Sequence, residues 1–153
     1  MAVMTTGNGG YDKLEYRAVP IPAPGPNEVL LRVLAAGVNN TDINTRLGWY
    51  SSSVTADTRA TAETQEDHAQ QKTDGGGKGA TPFPLIQGTD CSGTVVQIGK
   101  GVVRNLLGKR ALVRSCMRPN GYDVMDNVWM ASDFDGAFAE YVKVPASEVF
   151  LVT

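Results

Sequence analysis

Two short stretches concentrate the side chains that could do chemistry: residues 39–50, NNTDINTRLGWY, and residues 88–93, GTDCSG. A catalytic zinc ion needs about three ligands from His, Cys, Asp or Glu that converge on one point. His68 is the sole histidine, and it lies far in sequence from either cysteine. Asp90 and Cys91 are adjacent, so on a strand they would point to opposite faces. The residue types therefore predict no metal site.

The first stretch also has the composition of a helix start. Asn and Thr are good N-cap residues, and Gly48 is typical of the position that ends a helix. We predict a helix of about two turns with Asn40 or Thr41 as its N-cap. Asp42 is favourable in a first helical turn on dipole grounds alone. For Asn39 and Thr41 the sequence leaves two interpretations open: helix caps or residues of a functional site.

Composition excludes several classes of protein. With 153 residues and 42% apolar content, we expect one soluble domain with a real core. A net charge of −2 gives no electrostatic footprint for nucleic acid or an anionic membrane. No apolar run approaches the roughly 20 residues of a membrane helix, and no export signal is visible. We therefore expect a cytoplasmic protein with reduced cysteines and neither nucleic acid nor membrane as partner.

Short apolar runs between glycine and proline turns predict a β-rich domain. Strand patterns lie at 2–6, 14–20, 28–39, 93–99, 109–114, 137–145 and 148–152. The strongest run, 28–39, is apolar on both faces and predicts burial on both faces, with Arg32 as the exception. Many short antiparallel strands with one short helix indicate a small barrel or rolled sheet.

Residues 51–82 differ from the rest of the chain. Val54 is their only large apolar side chain, among many Ser, Thr, Ala, Gln and charged residues and a triple glycine. Such a segment cannot bury enough apolar surface to offset its ordering entropy. We predict one domain over 1–153, interrupted by a flexible insertion at 51–82.

Four motifs occur in the order of one known family: YDKLEYRAVPIPAPGPNEVLLRVLAAGVNNTDI, FPLIQGTDCSGTVVQIGKGV, GKRALVR and GAFAEYVKVPASEVFLV. Together they resemble the N-terminal part of the medium-chain dehydrogenases/reductases, which include zinc alcohol dehydrogenases and zinc-free quinone oxidoreductases. The resemblance covers nearly the whole chain apart from 51–82. It implies a mainly β fold, a GroES-like partly open β-barrel with one or two short helices, that carries the substrate side of a cleft.

The resemblance also implies a second domain. Members of the family continue into a doubly wound, Rossmann-type nucleotide-binding domain whose first turn is rich in glycine. No G-x-G-x-x-G occurs in this chain. We therefore expect the nucleotide-binding domain to be absent from this chain, and NADPH or NADH to bind only in the complete enzyme.

Zinc-dependent members carry a Cys ligand at the position of Asn39 and a His ligand at that of Thr89, next to an acid that is Asp90 here. Amides and hydroxyls are poor zinc ligands beside thiolate and imidazole. Asn39 instead matches the zinc-free quinone oxidoreductase branch. The resemblance thus predicts no zinc.

In that branch, hydride passes from a reduced nicotinamide to an activated alkene or carbonyl. The resemblance implies catalytic roles for Asn39, Thr41 and Tyr50, and cofactor contacts for Asn39 and Asp42. Asn39 would donate to a substrate carbonyl or to the nicotinamide ribose, and Tyr50 would donate a proton or wall the cleft. Thr41 matches the proton-relay hydroxyl of zinc-dependent relatives, a role that lapses without the metal.

The expected partners are a nucleotide-binding domain and a small carbonyl, enone or quinone substrate. Homo-oligomerisation is left open. Alone, the chain is expected to have little activity, since the nicotinamide site would be split between two domains. Two alternatives are kept: a fragment of a zinc-type alcohol dehydrogenase, and a stand-alone binding module like chaperonin-10.

Overall fold

The computed structural model describes residues 1–50, 81–123 and 126–152. The flexible insertion predicted at 51–82 lies outside the described residues except at its last two positions. None of the helices in the described ranges is long and apolar enough to cross a membrane.

The described residues form strands and a single α-helix. The strands are β1 Ala2–Thr5, β2 Leu14–Arg17, β3 Glu28–Ala35, β4 Leu85–Ile86, β5 Cys91–Ile98, β6 Arg110–Val113, β7 Cys116–Met117, β8 Val128–Trp129, β9 Tyr141–Pro145 and β10 Val149–Leu151. The helix is α1, Asn40–Arg46. Short 3-10 helices span Tyr11–Lys13, Arg104–Leu106 and Ala146–Glu148.

A five-stranded antiparallel sheet forms the centre of the fold, in the order β10-β6-β5-β3-β9. Its inner face carries the main core, in which Val29, Leu31, Val95 and Val144 are fully buried. Alternate residues of a strand point to the same face, so Val29 and Leu31 reach this core together. Burying side chains of this size stabilises the fold by roughly 1.5–3 kcal/mol each.

A second sheet, β2-β1-β4, and the two-stranded β7-β8 ribbon complete the strand pairing. The second sheet has a small core of its own around Ala2, Met4 and Ile86. Strand pairing within the described ranges leaves these sheets open rather than closed into a barrel. The predicted mainly β, GroES-like fold with one or two short helices and a partly open barrel is confirmed, with one α-helix and open sheets in the described ranges.

The strongest predicted strand, β3, is buried on both faces only in its first half. Leu30 and Leu31 point to opposite faces and are both buried, whereas Leu34 is half-exposed. Arg32 is exposed, as predicted. The first half of β3 lies between β5 and β9, while its last residues pair with β5 alone among the described strands.

Candidate functional site

The two stretches singled out in the sequence meet at one end of the central sheet. Strands β3 and β5 are antiparallel, with Ala35 opposite Ser92. The chain leaving β3 therefore runs beside the chain entering β5. This places the start of α1 against residues 87–90.

Asn39 is the centre of this junction. Its side-chain Nδ2 donates to Oδ2 of Asp90 at 2.8 Å and to Oγ1 of Thr89 at 3.2 Å. Asn39 is also the N-cap of α1, so the cap lies one residue before the predicted Asn40 or Thr41. Asn39 can therefore be both a helix cap and a residue of a functional site, because its amide nitrogen points at Thr89 and Asp90 while the residue caps α1.

Asp42 faces inward rather than into open space. It is only 5% exposed, and its two carboxylate oxygens accept from the backbone N–H of Asn39 at 2.8 Å and of Gly88 at 3.0 Å. The first contact is the carboxylate half of a capping box. Burial raises the pKa of Asp42, while these backbone N–H groups act in the opposite direction. The structure thus places the predicted cofactor residue where it joins two segments of the chain.

Thr41 and Tyr50 form a pair of hydroxyls beside Asn39. The phenol of Tyr50 donates to Oγ1 of Thr41 at 3.2 Å, and 46% of Tyr50 is exposed. Because a hydroxyl that accepts one hydrogen bond can still donate its own proton, Thr41 is free to donate to a further acceptor. The pair forms a short path from the helix start to solvent.

Gly88 allows the two segments to approach each other. Its φ is +100°, a conformation that favours glycine, and a Cβ there would lie 2.6 Å from the ring of Phe138. Gly88 is therefore a turn and close-packing glycine.

Gln87 is the residue that sequence reasoning missed. It is 3% exposed, its Oε1 accepts from Thr5 at 2.8 Å, and its Nε2 donates to the carbonyl of Asp42 at 2.9 Å. The available signal was a lone amide at the end of the apolar run FPLI, where an apolar residue would be expected.

The described residues contain no group of three His, Cys, Asp or Glu side chains that could hold a metal ion. His68 lies outside them. Cys91, the residue after Asp90, is buried, and burial raises the pKa of its thiol to about 11.

A cavity of about 460 Å³ lies elsewhere, between β1, the connection after β2, β4 and β9. Met4, Val19, Ile86 and Phe134 supply its apolar lining, with Arg17 and Lys143 among its polar residues. None of the candidate site residues lines it. The candidate site is therefore the surface around Asn39, Thr41, Tyr50, Thr89 and Asp90.

The fold is that of an alcohol dehydrogenase GroES-like domain. Residues 25–153 match the model of the alcohol dehydrogenase GroES-like domain. The chain belongs to that family, within the medium-chain dehydrogenase/reductase superfamily.

Individual proteins with known sequences or structures are also similar to this chain. A candidate alcohol dehydrogenase from Sinorhizobium meliloti 1021 is 35% identical with a TM-score of 0.76, over 99% of this chain and 39% of that one. L-threonine 3-dehydrogenase of Streptomyces avermitilis is 31% identical over 87% of this chain and 34% of its own length. The rat synaptic vesicle membrane protein VAT-1 homolog is 28% identical over 98% of this chain and 26% of its own length. The chain thus spans less than two fifths of each of these relatives.

Proposed function

We propose that this chain is the substrate-side domain of a zinc-independent, NAD(P)H-dependent oxidoreductase that reduces enones, quinones or similar carbonyl compounds. The observation that carries the proposal is the position of the Asn39 amide. Its Nδ2 lies within hydrogen-bond distance of Thr89 and Asp90. The resemblance places the Cys and His ligands of zinc-dependent relatives at the positions of Asn39 and Thr89.

The donor set at this place does not suit zinc. It offers an amide, a hydroxyl and one carboxylate, and the two Asn39 Nδ2 contacts already join all three groups. Zinc prefers thiolate, imidazole and carboxylate ligands, and amides and hydroxyls compete poorly for it. We therefore derive no catalytic step through zinc.

Asn39 would bind the substrate oxygen. Of its two Nδ2 contacts, the one to Thr89 is the longer at 3.2 Å. A substrate carbonyl oxygen would replace that contact, while the 2.8 Å bond to Asp90 would hold the amide in place. A donor positioned before reaction stabilises negative charge that develops on oxygen during hydride addition.

The hydroxyl pair would supply the proton. When bound, the reduced nicotinamide supplies a hydride to the substrate carbon. Thr41 would give its hydroxyl proton to the substrate oxygen, and Tyr50 would restore it through their 3.2 Å contact. Tyr50, being half-exposed, would recover its proton from solvent. One hydride and one proton thus complete a two-electron reduction.

The nicotinamide cofactor would require a further domain. A pyrophosphate is normally held by backbone N–H groups at a glycine-rich helix start. Here α1 has only seven residues and carries Asp42 in its first turn, so its start is unsuited to an anion. We propose that a nucleotide-binding domain is the main partner and that the substrate lies between the two domains.

Oxidation of an alcohol is the second candidate. It is favoured by the names of two relatives, an alcohol dehydrogenase candidate and a threonine dehydrogenase. The same donor and hydroxyl pair could serve the reverse reaction, with oxidised nicotinamide accepting the hydride.

The test joins this chain to the part of the Sinorhizobium meliloti relative that this chain does not cover, and it measures turnover in both directions. The proposal predicts NADPH- or NADH-dependent reduction of an enone or quinone. Asn40→Ala is the matched control for substitutions of Asn39, because Asn40 is the same residue type, adjacent to Asn39 and exposed. Activity with alcohols alone would support the second candidate, and inactivity in both directions in a folded chimera would contradict both.

A further inference from the structure

A buried amide connects the candidate site to the opposite side of the domain. Gln87 lies between Ile86 and Gly88 and is almost wholly buried. A buried primary amide is costly unless both of its ends find partners. Here Thr5 donates to its oxygen at 2.8 Å, and its nitrogen donates to the Asp42 carbonyl at 2.9 Å. Gln87 therefore joins β1, the 87–90 segment and α1.

The backbone of the same segment is fixed on both sides. Phe138 donates its N–H to the Gln87 carbonyl at 2.8 Å, and Ala137 donates to the Gly88 carbonyl at 2.9 Å. Towards the helix, the Gly88 N–H donates to Asp42 at 3.0 Å. The segment is held between α1 and residues 137–138, with the Gln87 side chain as the contact that extends to β1.

The next two residues supply both acceptors of the site amide. Thr89 and Asp90 accept from Nδ2 of Asn39 at 3.2 Å and 2.8 Å. The distance of Thr89 and Asp90 from α1 depends on the hydrogen bonds that Gln87 and Gly88 make to that helix. A hydrocarbon side chain at position 87 could fill the same volume. It could not hold the segment at a set distance and angle from α1, because it makes no directional hydrogen bonds.

We propose that Gln87 is a positioning residue, which acts through Thr89 and Asp90 to orient the Asn39 amide toward the substrate. The importance of that orientation for catalysis rests on the proposed function. The orientation itself is a property of the isolated chain and can be measured there.

The experiment follows the side-chain NH2 signals of Asn39 by NMR in the isolated chain. The signals are assigned by their loss in Asn39→Ser. Gln87→Met removes both hydrogen bonds of the amide at similar volume, and Gln97→Met is the matched control on the exposed surface of β5. We expect Gln87→Met to shift the Asn39 side-chain signals and to speed their hydrogen exchange about fivefold, as expected for losing one hydrogen bond. Gln97→Met should leave both unchanged.

Two outcomes would overturn the proposal. If Gln87→Met folds and leaves the Asn39 signals in place, Gln87 contributes to packing alone. If Gln87→Met does not fold, Thr5→Val decides, because it keeps Gln87 and removes only the donor to its oxygen. Shifted Asn39 signals in Thr5→Val support the proposal, and unshifted signals contradict it. Neither variant requires cofactor or substrate, so these results are independent of whether the proposed reaction occurs.

Discussion

At the scale of single residues, the site depends on one amide that has two tasks. Asn39 caps α1 through its backbone geometry and holds Thr89 and Asp90 through its side-chain nitrogen. A cap can be kept by other residue types, but the donor contacts require the amide. Substitutions at this one position can therefore separate stability from function.

Asn39→Ser is the substitution that separates them. Serine caps helices about as well as asparagine, whereas alanine costs roughly 0.5–2 kcal/mol of stability. We expect Asn39→Ser to retain near-wild-type unfolding free energy and to lose most of its turnover in the chimera. Denaturant unfolding and steady-state rates measure the two effects. Equal turnover in Asn39→Ser and wild type would restrict Asn39 to capping.

The buried carboxyl group of Asp42 should make the free energy of unfolding depend on pH. Burial raises the pKa of Asp42 in the folded state above the ordinary value of 3.8 that applies in the unfolded state. At a pH between the unfolded-state and folded-state pKa, the folded state therefore binds a proton that the unfolded state has lost. The stability of the wild type relative to Asp42→Asn should therefore fall as pH rises through this window and then level off. Urea unfolding at several acidic pH values measures this difference. A difference that grows with pH would mean that the backbone N–H bonds outweigh burial.

The residue scale also shows where sequence reasoning stops. Asn39, Thr41, Tyr50, Thr89 and Asp90 could be selected from their types and from the family resemblance. The buried position of Asp42 and the role of Gln87 could not, because both depend on contacts between residues more than forty positions apart. A local pattern carries no information about such partners.

At the scale of elements, hydrophobic patterning predicted the central strands well. β3, β6, β9 and β10 lie within predicted runs, and β5 begins two residues before its predicted run of 93–99. Each of these strands carries enough β-branched and aliphatic residues to be recognised from its own sequence. The two-residue strands β4, β7 and β8 were not predicted. Strands this short are defined by their partners, so their own sequences contain too little signal.

Two leucines of β3 test whether the inner face carries the stability. Leu31 is fully buried, whereas 51% of Leu34 is exposed. We expect Leu31→Ala to cost about 2–5 kcal/mol of unfolding free energy, as for a buried leucine. Leu34→Ala, the same change in the same strand, should cost well under half as much. Equal losses in denaturant unfolding would mean that the outer face of the sheet is covered.

At the scale of the whole molecule, the described residues form open sheets, and the chain matches only part of each relative. The chain spans 39% of the Sinorhizobium meliloti relative and 34% of the threonine dehydrogenase. The fold class could be predicted from motif order, because four ordered motifs constrain a topology strongly. The resemblance also implied a partly open barrel. The order of the strands in each sheet was not predicted, since pairing depends on strand edges rather than on patterns within a strand.

The proposed division of labour predicts that this chain alone does not bind a nicotinamide cofactor with useful affinity. The helix α1 is short and has an acid in its first turn, and the sequence contains no G-x-G-x-x-G pattern. Isothermal titration of the chain with NADPH and NADH should give no heat of binding at micromolar cofactor. Saturable binding in that range would place the cofactor site within this domain.

The most direct test of the central claim is the turnover of the chimera after exhaustive treatment with a zinc chelator. If the Asn39 amide and the hydroxyl pair of Thr41 and Tyr50 carry the chemistry, reduction of an enone or quinone should continue at the untreated rate. Loss of activity on chelation, with recovery on addition of zinc, would contradict the account and would make the chain part of a zinc-type dehydrogenase.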